Sequence, residues 1–176
     1  MTDPTDQGSD GRIHHSERVA DLIAIQDLAT SYAHAVDDLD WPRWQGLFLP
    51  DAHIDYTSAG GIEGTPTELA AWMPSALAVF TFSMHTTSTH EIRFTDADTA
   101  AGRVHVVNRN GVHWEGRPEI VDVGAVYDDT YRLVGDTWRF ASRVEHTKYI
   151  TGGAFADMIR EAAVGSTRDG RTPPFG

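Results

Sequence analysis

The chain has 176 residues, which suffices for one domain with a hydrophobic core but hardly for two. Its 14 Lys and Arg residues are outnumbered by 26 Asp and Glu, and the formal net charge of −12 argues against a nucleic-acid partner. Because the chain contains no cysteine, disulfides, thiolate metal sites and cysteine nucleophiles are excluded together.

A polar segment at each end frames the predicted domain. Residues 1–16, rich in Asp with Pro and Gly, are typical of a flexible leader, and residues 164–176 have the same character. Residues 17–163 are predicted to form one domain. No apolar run approaches the ~20 residues of a membrane span, and no signal-peptide core is recognisable. We therefore expect a cytoplasmic protein without a membrane partner.

The N-terminal part of the domain is predicted to be helical. Apolar residues recur at three- and four-residue steps between Ser16, the predicted N-cap, and Asp37. Asp37 and Asp38 lie near the C-terminal end of this helix, where a carboxylate opposes the helix dipole. A short helix in "WPRWQGLF", a strand in "AHIDYTS" and a helix capped by Thr65 are predicted to follow.

From residue 85 onward the pattern changes to long strands. One hairpin is predicted around the Asp96–Asp98 turn and a second around Gly135–Asp136. Early helices followed by long antiparallel strands indicate an α+β domain. Because a broad sheet face must then be covered, we also expect a homodimer or homotrimer.

The stretch "SMHTTSTH" raises the question of what His85 and His90 do. Five residues apart on a regular strand, they point to opposite faces unless a bulge intervenes. A turn centred near residue 97.5 makes paired residues sum to 195, so that His85 lies opposite Asn110 and His90 opposite His105. The second pair is then expected on the outer face of the sheet or at an oligomer interface.

No recognisable motif implies a metal or a cofactor. A catalytic metal needs three or four converging ligands, and the sequence has neither an HxxxH helix motif nor an HxH strand motif. A GxSxG nucleophile motif is absent as well, and "AGGIEGT" lacks the lysine and the spacing of phosphate-binding loops. We therefore expect neither a metal nor a cofactor.

The segment "YAHAVDDLDWPRWQGLFLPDAHIDY", followed by "MH" near the start of a strand, resembles the SnoaL-like branch of the nuclear transport factor 2-like superfamily. Within that branch it is similar to the scytalone dehydratases and the bile-acid 7-alpha-dehydratases. The resemblance covers residues 17–150 and rests on Asp-x-x-Asp-Trp, then Asp-Tyr, then His, then the two hairpins. It implies a cone-like, curved antiparallel or mixed sheet wrapped around the N-terminal helices.

The resemblance also implies a catalytic set. Asp37 matches the Asp at the end of the first helix of these dehydratases, and Tyr56 matches a tyrosine nineteen residues later (56 − 37 = 19). His85 matches the catalytic histidine that opens the first long strand. Tyr32 matches a tyrosine of the bile-acid enzymes, five residues before the Asp (37 − 32 = 5).

At other positions the chain departs from the family pattern. Val36 replaces the tyrosine that precedes the Asp in scytalone dehydratases, and Tyr127 replaces a small polar residue. Asn110, or Asn108 if the register shifts, stands where the family has a second acid/base group. An amide cannot exchange a proton, so we expect these asparagines to bind the substrate or a water.

The implied chemistry is dehydration or double-bond isomerisation next to a carbonyl. Asp37 would accept a hydrogen bond from one nitrogen of His85, and the other nitrogen would remove a proton and deliver it to a departing hydroxyl. Tyr56, with Tyr32, would donate to the developing oxyanion.

The rest of the pocket is expected to be apolar, which suits a hydrophobic, ring-containing substrate. Substrate contacts are predicted for Tyr127, Trp44 and Trp72. Each aromatic residue also has an ordinary explanation as part of the core.

Other functions of the same fold remain open. The domain could be a non-catalytic ligand-binding module, the small subunit of a multicomponent oxygenase, a polyketide cyclase or an epoxide hydrolase. A ketosteroid-type isomerase would need a buried Asp base on the sheet. Asp122 and Asp129 are available for that role, but together with Asp128 they are expected on the outer face.

Overall fold

The computed structural model describes the backbone of residues 18–166 and the side chains of residues 18–161. Ser16 and the predicted leader lie outside the described residues. Within that range the chain forms four α-helices and six β-strands. A 3-10 turn at Thr57–Ala59 lies between the first and the second strand. In chain order they are α1 (Val19–Asp37), α2 (Trp41–Gly46), β1 (Phe48–Asp55), β2 (Glu63–Gly64), α3 (Pro66–Ala76), β3 (Phe80–Phe94), β4 (Thr99–Trp114), β5 (Arg117–Val134), β6 (Thr137–Gly152) and α4 (Ala154–Ser166).

Side-chain caps mark the beginnings of α2, at Asp40, and of α3, at Thr65. At α3 the Thr65 hydroxyl accepts from the backbone N–H of Glu68 (3.4 Å), and the Glu68 carboxylate accepts from the backbone N–H of Thr65 (2.8 Å). This capping box confirms Thr65 as the N-cap. The chain turns sharply after α1, where Leu39 has a φ of +56°. Asp37 is therefore the last residue of α1, directly before this turn.

The six strands form one sheet in the order β2-β1-β6-β5-β4-β3. All neighbouring strands are antiparallel except β1 and β6, which run parallel. The sheet is therefore mixed, and its long strands curve around the helices. The predicted α+β cone is confirmed.

The main core lies between α1 and the concave face of the sheet. Helix α1 packs against β3 and β6. Its side chains Ile25, Tyr32 and Val36 are buried together with Trp138 and Phe140 of β6. Burial of apolar surface stabilises the fold by about 25 cal/mol per Å². It is the main force that holds the helix against the sheet. The cone therefore holds α1, and with it Tyr32 and Asp37, against the strands.

The predicted register of the first hairpin is wrong by two residues at His85. This residue lies opposite Asn108, and Asn110 lies opposite Ser83. Near the turn, paired residues sum to 194 (Phe94 with Ala100), and beyond a bulge they sum to 193. The centre of the hairpin thus lies half a residue earlier than expected, and the bulge adds a second shift.

The bulge also overturns the expected pairing of His90 with His105. His90 lies opposite Val104, while His105 lies opposite Ser88 and is exposed. Thr89 has a φ of +37°, which marks the extra residue of the bulge. His90 consequently faces the same side as His85, and its Nε2 lies 3.1 Å from the hydroxyl of buried Tyr131.

Helix α4 has no counterpart among the predicted elements. It begins after Gly153 and runs to Ser166, three residues into the segment assigned to the C-terminal tail. Its apolar residues recur at helical spacing, and Phe155 and Ala156 are buried against Val121 and Ile150 of the sheet. Among the described residues, no helix is long and apolar enough to cross a membrane.

Candidate active site

A cavity of about 400 Å³ opens on the concave side of the sheet. Helix α3 contributes Trp72 and Met73 to its wall, and helix α4 contributes Phe155, Met158 and Ile159. The polar part of the lining comes from α1, from the strands and from the turn that follows β1. The polar part of the wall consists of Tyr32, Tyr56, His85, Asn108, Asn110, Tyr127 and Glu145.

Asp37 and His85 form the most tightly bonded pair of this site. His85 Nδ1 lies 2.6 Å from Asp37 Oδ1, and the backbone N–H of His85 donates to both carboxylate oxygens at 3.1 and 2.9 Å. The side chains are 5% and 19% exposed, respectively. Three contacts from one residue fix the position of the carboxylate as well as the plane of the imidazole ring.

The ionisation of Asp37 determines which ring nitrogen carries the hydrogen. Partial burial raises the pKa of Asp37, but its hydrogen bonds to His85 and the charge of that residue outweigh burial, and the net pKa is below the ordinary value. An ionised carboxylate can only accept, so His85 Nδ1 must donate. In the neutral ring, Nε2 is then the basic nitrogen.

Three tyrosines form the floor of the cavity beside this pair. The hydroxyls of Tyr32 and Tyr56 lie 2.7 Å apart. The ring of Tyr32 is 6.3 Å from that of His85 and 6.0 Å from that of Tyr127. Burial raises the pKa of all three tyrosines, for Tyr56 and Tyr127 well above the ordinary value. They therefore keep their protons and can serve as hydrogen-bond donors.

A buried ion pair supports the tyrosines from behind. Arg143 donates from Nε and from Nη2 to the two oxygens of Asp129, each at 2.8 Å, and both side chains are at most 1% exposed. The guanidinium lies 4.0 Å from the ring centroid of Tyr32 and 4.3 Å from that of Tyr127. The expected outer-face position of Asp129 is wrong, because this residue shares the inward alternation of Tyr127 and Tyr131.

The two candidate asparagines differ in what they can offer a ligand. Asn110 is fully buried, and its Oδ1 already accepts from the Ser83 hydroxyl at 2.7 Å. Asn108 lies next to His85, and its buried Oδ1 has no hydrogen-bond partner among the described residues. An unpaired buried carbonyl is costly, so Asn108 is the better candidate for a substrate contact.

The two predicted tryptophans take different places. Trp72 lines the cavity, as expected. Trp44 does not: it is fully buried, with its ring 4.7 Å from that of Phe48 and 6.5 Å from that of Tyr32. Its predicted substrate contact is wrong, because α2 turns this side chain into the core.

Glu145 is the polar wall residue that the sequence analysis missed. It lies on β6 and is 9% exposed. Trp138 and Phe140 face inward, and simple alternation would therefore send Glu145 outward. The pairing with β5 shifts at Thr130 and Tyr131, and the inward series resumes at Arg143. A bulge thus turns Glu145 into the cavity, and no local signal in the sequence marks it.

One further group of ligand-type side chains occurs among the described residues. His53, Asp55 and Glu63 bring one ligand atom each within 4.8 Å of one another. Asp55 already accepts from the backbone N–H and the hydroxyl of Thr57. None of the three lines the cavity.

Comparison with known proteins agrees with this architecture. The SnoaL-like domain family matches residues 17–144. An uncharacterized protein of Mycobacterium tuberculosis (strain H37Rv) is 33% identical over 127 residues, which are 72% of this chain and 85% of that protein.

Solved structures show the same fold at lower identity. The hexachlorocyclohexane dehydrochlorinase LinA-type3 of Novosphingobium barchaimii is 22% identical with a TM-score of 0.69, covering 80% of this chain and 94% of its own. A scytalone dehydratase-like protein of Novosphingobium aromaticivorans is 21% identical with a TM-score of 0.69, covering 78% and 90%. The chain therefore belongs to the SnoaL-like family and has the α+β cone fold of the nuclear transport factor 2-like superfamily.

Proposed function

We propose that the protein is a cofactor-independent lyase that removes water, or another leaving group, from a ring-containing ketone. The observation that carries this proposal is the 2.6 Å contact between Asp37 and His85 Nδ1 at the wall of a largely apolar cavity. It leaves Nε2 as a base whose ring orientation is set before any substrate arrives.

The first step is removal of a proton alpha to the carbonyl. His85 Nε2 takes the proton, and the carboxylate of Asp37 stabilises the imidazolium that forms. Because the side chain of His85 is 5% exposed, water screens this interaction little. The pair therefore supplies a base without a metal.

The second requirement is stabilisation of the enolate. The neutral hydroxyls of Tyr56 and Tyr127 lie at the polar side of the same cavity. Donors aimed at a developing oxyanion contribute about 3 kcal/mol each in a dry site. Asn108 can accept a hydrogen bond from a substrate hydroxyl through its unpaired Oδ1.

The size and lining of the cavity support a ring-bearing substrate. A volume of about 400 Å³ with Trp72, Leu77, Phe80 and Met158 in its wall can hold a fused bicycle. The structural neighbour named as a hexachlorocyclohexane dehydrochlorinase supports elimination from a ring. Isomerisation of a double bond uses the same base when the substrate has no leaving group.

The test uses 3-hydroxy-1-tetralone, which loses water to give fluorescent 1-naphthol. We expect turnover by the wild type and by His105→Ala, a control at an exposed histidine of β4, but not by His85→Ala. Binding of unreactive 1-tetralone is measured in parallel. If the wild type binds 1-tetralone but turns over no hydroxy ketone of this kind, the domain is a binding module and the proposal is wrong.

A further inference from the structure

Glu145 is a buried acidic side chain of the cavity that has no role in the mechanism proposed above. Glu145 lines the same cavity as His85, but reaches it from β6, which is separated from β3 by two strands. The backbone of Glu145 is held in place, because its carbonyl accepts from the Ser58 hydroxyl at 2.7 Å. Among the described residues, the only hydrogen-bond partner of its carboxyl group is the Thr147 hydroxyl, at 3.5 Å.

The nearby buried cation compensates a charge on Glu145 only in part. Arg143, two residues earlier on β6, donates from Nε and Nη2 to both oxygens of Asp129, and its buried Nη1 has no hydrogen-bond partner among the described residues. That pair is neutral as a whole. A charged Glu145 would be a third buried charge without a cation hydrogen-bonded to it, which is unfavourable. The packing therefore favours a protonated carboxylic acid at this position.

The charge of Asp55 on another strand reinforces the effect of burial on the pKa of Glu145, whereas Arg143 on its own strand opposes it. Burial and the charge of Asp55 on β1 raise its pKa, while Arg143 and Thr147 lower it, and the net pKa is about 7. Tyr32 from α1 and Tyr127 from β5 also feel its charge, and both are neutral. An acid with this pKa can hold a proton at neutral pH and release it during a reaction.

We propose that Glu145 is the proton donor to the leaving group, opposite the His85 base. This inference rests on the proposed function and replaces the idea that one histidine moves both protons. Glu145 would also be the second acid/base group, a role that Asn108 and Asn110 cannot fill.

The step balances as follows. The C–H bond alpha to the carbonyl breaks, its proton goes to His85 Nε2, and the electron pair enters the enolate. The enolate then forms the carbon–carbon double bond as the C–O bond breaks. Glu145 gives its proton to the departing oxygen, which leaves as water. Proton exchange with solvent returns His85 to the neutral base and Glu145 to the acid.

The experiment varies the leaving group, because a hydroxyl needs a proton in order to depart and an acetate does not. The substrates are 3-hydroxy-1-tetralone and 3-acetoxy-1-tetralone, both of which give 1-naphthol. We expect Glu145→Gln to slow water loss at least about 100-fold and acetate loss less than about fivefold. His85→Ala should abolish both reactions, and Glu91→Gln, the same change at an exposed position of β3, should affect neither.

A measurement on the wild type covers the case in which Glu145→Gln does not fold. The ratio of water loss to acetate loss should fall as the pH rises through about 7, because Glu145 then loses its proton. A ratio independent of pH, or an equal loss of both reactions in a folded Glu145→Gln, overturns the role of Glu145 and leaves that of His85 intact. If the wild type eliminates neither leaving group, the proposed function falls and the role of Glu145 falls with it.

Discussion

Two carboxyl groups serve the cavity from different sides, and they differ in the way the fold treats their charge. Asp37 receives three contacts from His85, which hold its pKa below the ordinary value in spite of partial burial. Glu145 is more deeply buried and has one weak hydrogen bond, so burial raises its pKa to about 7. In this cavity hydrogen bonds, more than residue type, decide which acid is charged.

The largest effect is expected at the group that Asp37 orients. His85→Ala removes the base and should lower kcat/KM for 3-hydroxy-1-tetralone by about 1000-fold. Binding of 1-tetralone should change much less, because the apolar wall remains. A change in KM with kcat unaffected would show that His85 binds the substrate but is not the base.

The next effect concerns stability and the buried acid. The folded state keeps a proton on Glu145 up to a pH of about 7, whereas the unfolded chain loses it near 4.5. The free energy of unfolding should therefore fall between these pH values, by about 3 kcal/mol in total. Urea unfolding of the wild type and Glu145→Gln at pH 4.5 and pH 8 measures this difference.

Glu91→Gln is the matched control for that stability measurement. As the pH rises, the free energy of unfolding of the wild type should fall relative to that of Glu145→Gln. Its difference from that of Glu91→Gln should stay constant. Parallel pH curves for all three proteins would mean that Glu145 is charged in the folded state, and the contrast with Asp37 would disappear.

A smaller effect is expected from Asp37→Asn. The amide oxygen can still accept from His85, but the charge that stabilises the imidazolium is lost, so kcat should fall about 10- to 100-fold. Because the pKa of Asp37 is lowered, its contribution to stability is present above the ordinary pKa and is lost as the pH falls through the folded value. Asp37→Asn should therefore unfold in acid with a weaker pH dependence than the wild type. An unchanged kcat would contradict the dyad.

The smallest effect is expected from removing the charge of Asp55, which acts on Glu145. Asp55→Asn keeps an oxygen for Thr57 but removes a negative charge that raises the pKa of Glu145. The titration of Glu145 should move to lower pH without unfolding the protein. Carbon-13 NMR of the glutamate carboxyl groups can follow it, and a shift to higher pH would rule out the assigned cause.

Much of the fold is predictable because its signals are local. The apolar periodicity of α1, the Thr65 cap and the turn at Gly135 each depend on a few neighbouring residues. Asp37 and His85 come from a family resemblance, and the structure brings them into direct contact. The expected homodimer or homotrimer stays a prediction.

The unpredicted features share a physical cause in strand bulges. The bulge at Thr89 turns His90 inward and helps place Asn108 beside His85. The shift beside Tyr131 turns Arg143 and Glu145 inward. Inserting one residue reverses every later side chain of a strand, and the insertion depends on how the sheet curves rather than on local composition.

The most direct test of the contrast is a carbon-13 NMR titration of both carboxyl groups in the wild-type protein, assigned with Asp37→Asn and Glu145→Gln. At pH 6 the carboxyl group of Asp37 should be ionised and that of Glu145 still protonated. Titration of both groups near pH 4 would contradict this prediction, because Glu145 could not then donate a proton at neutral pH.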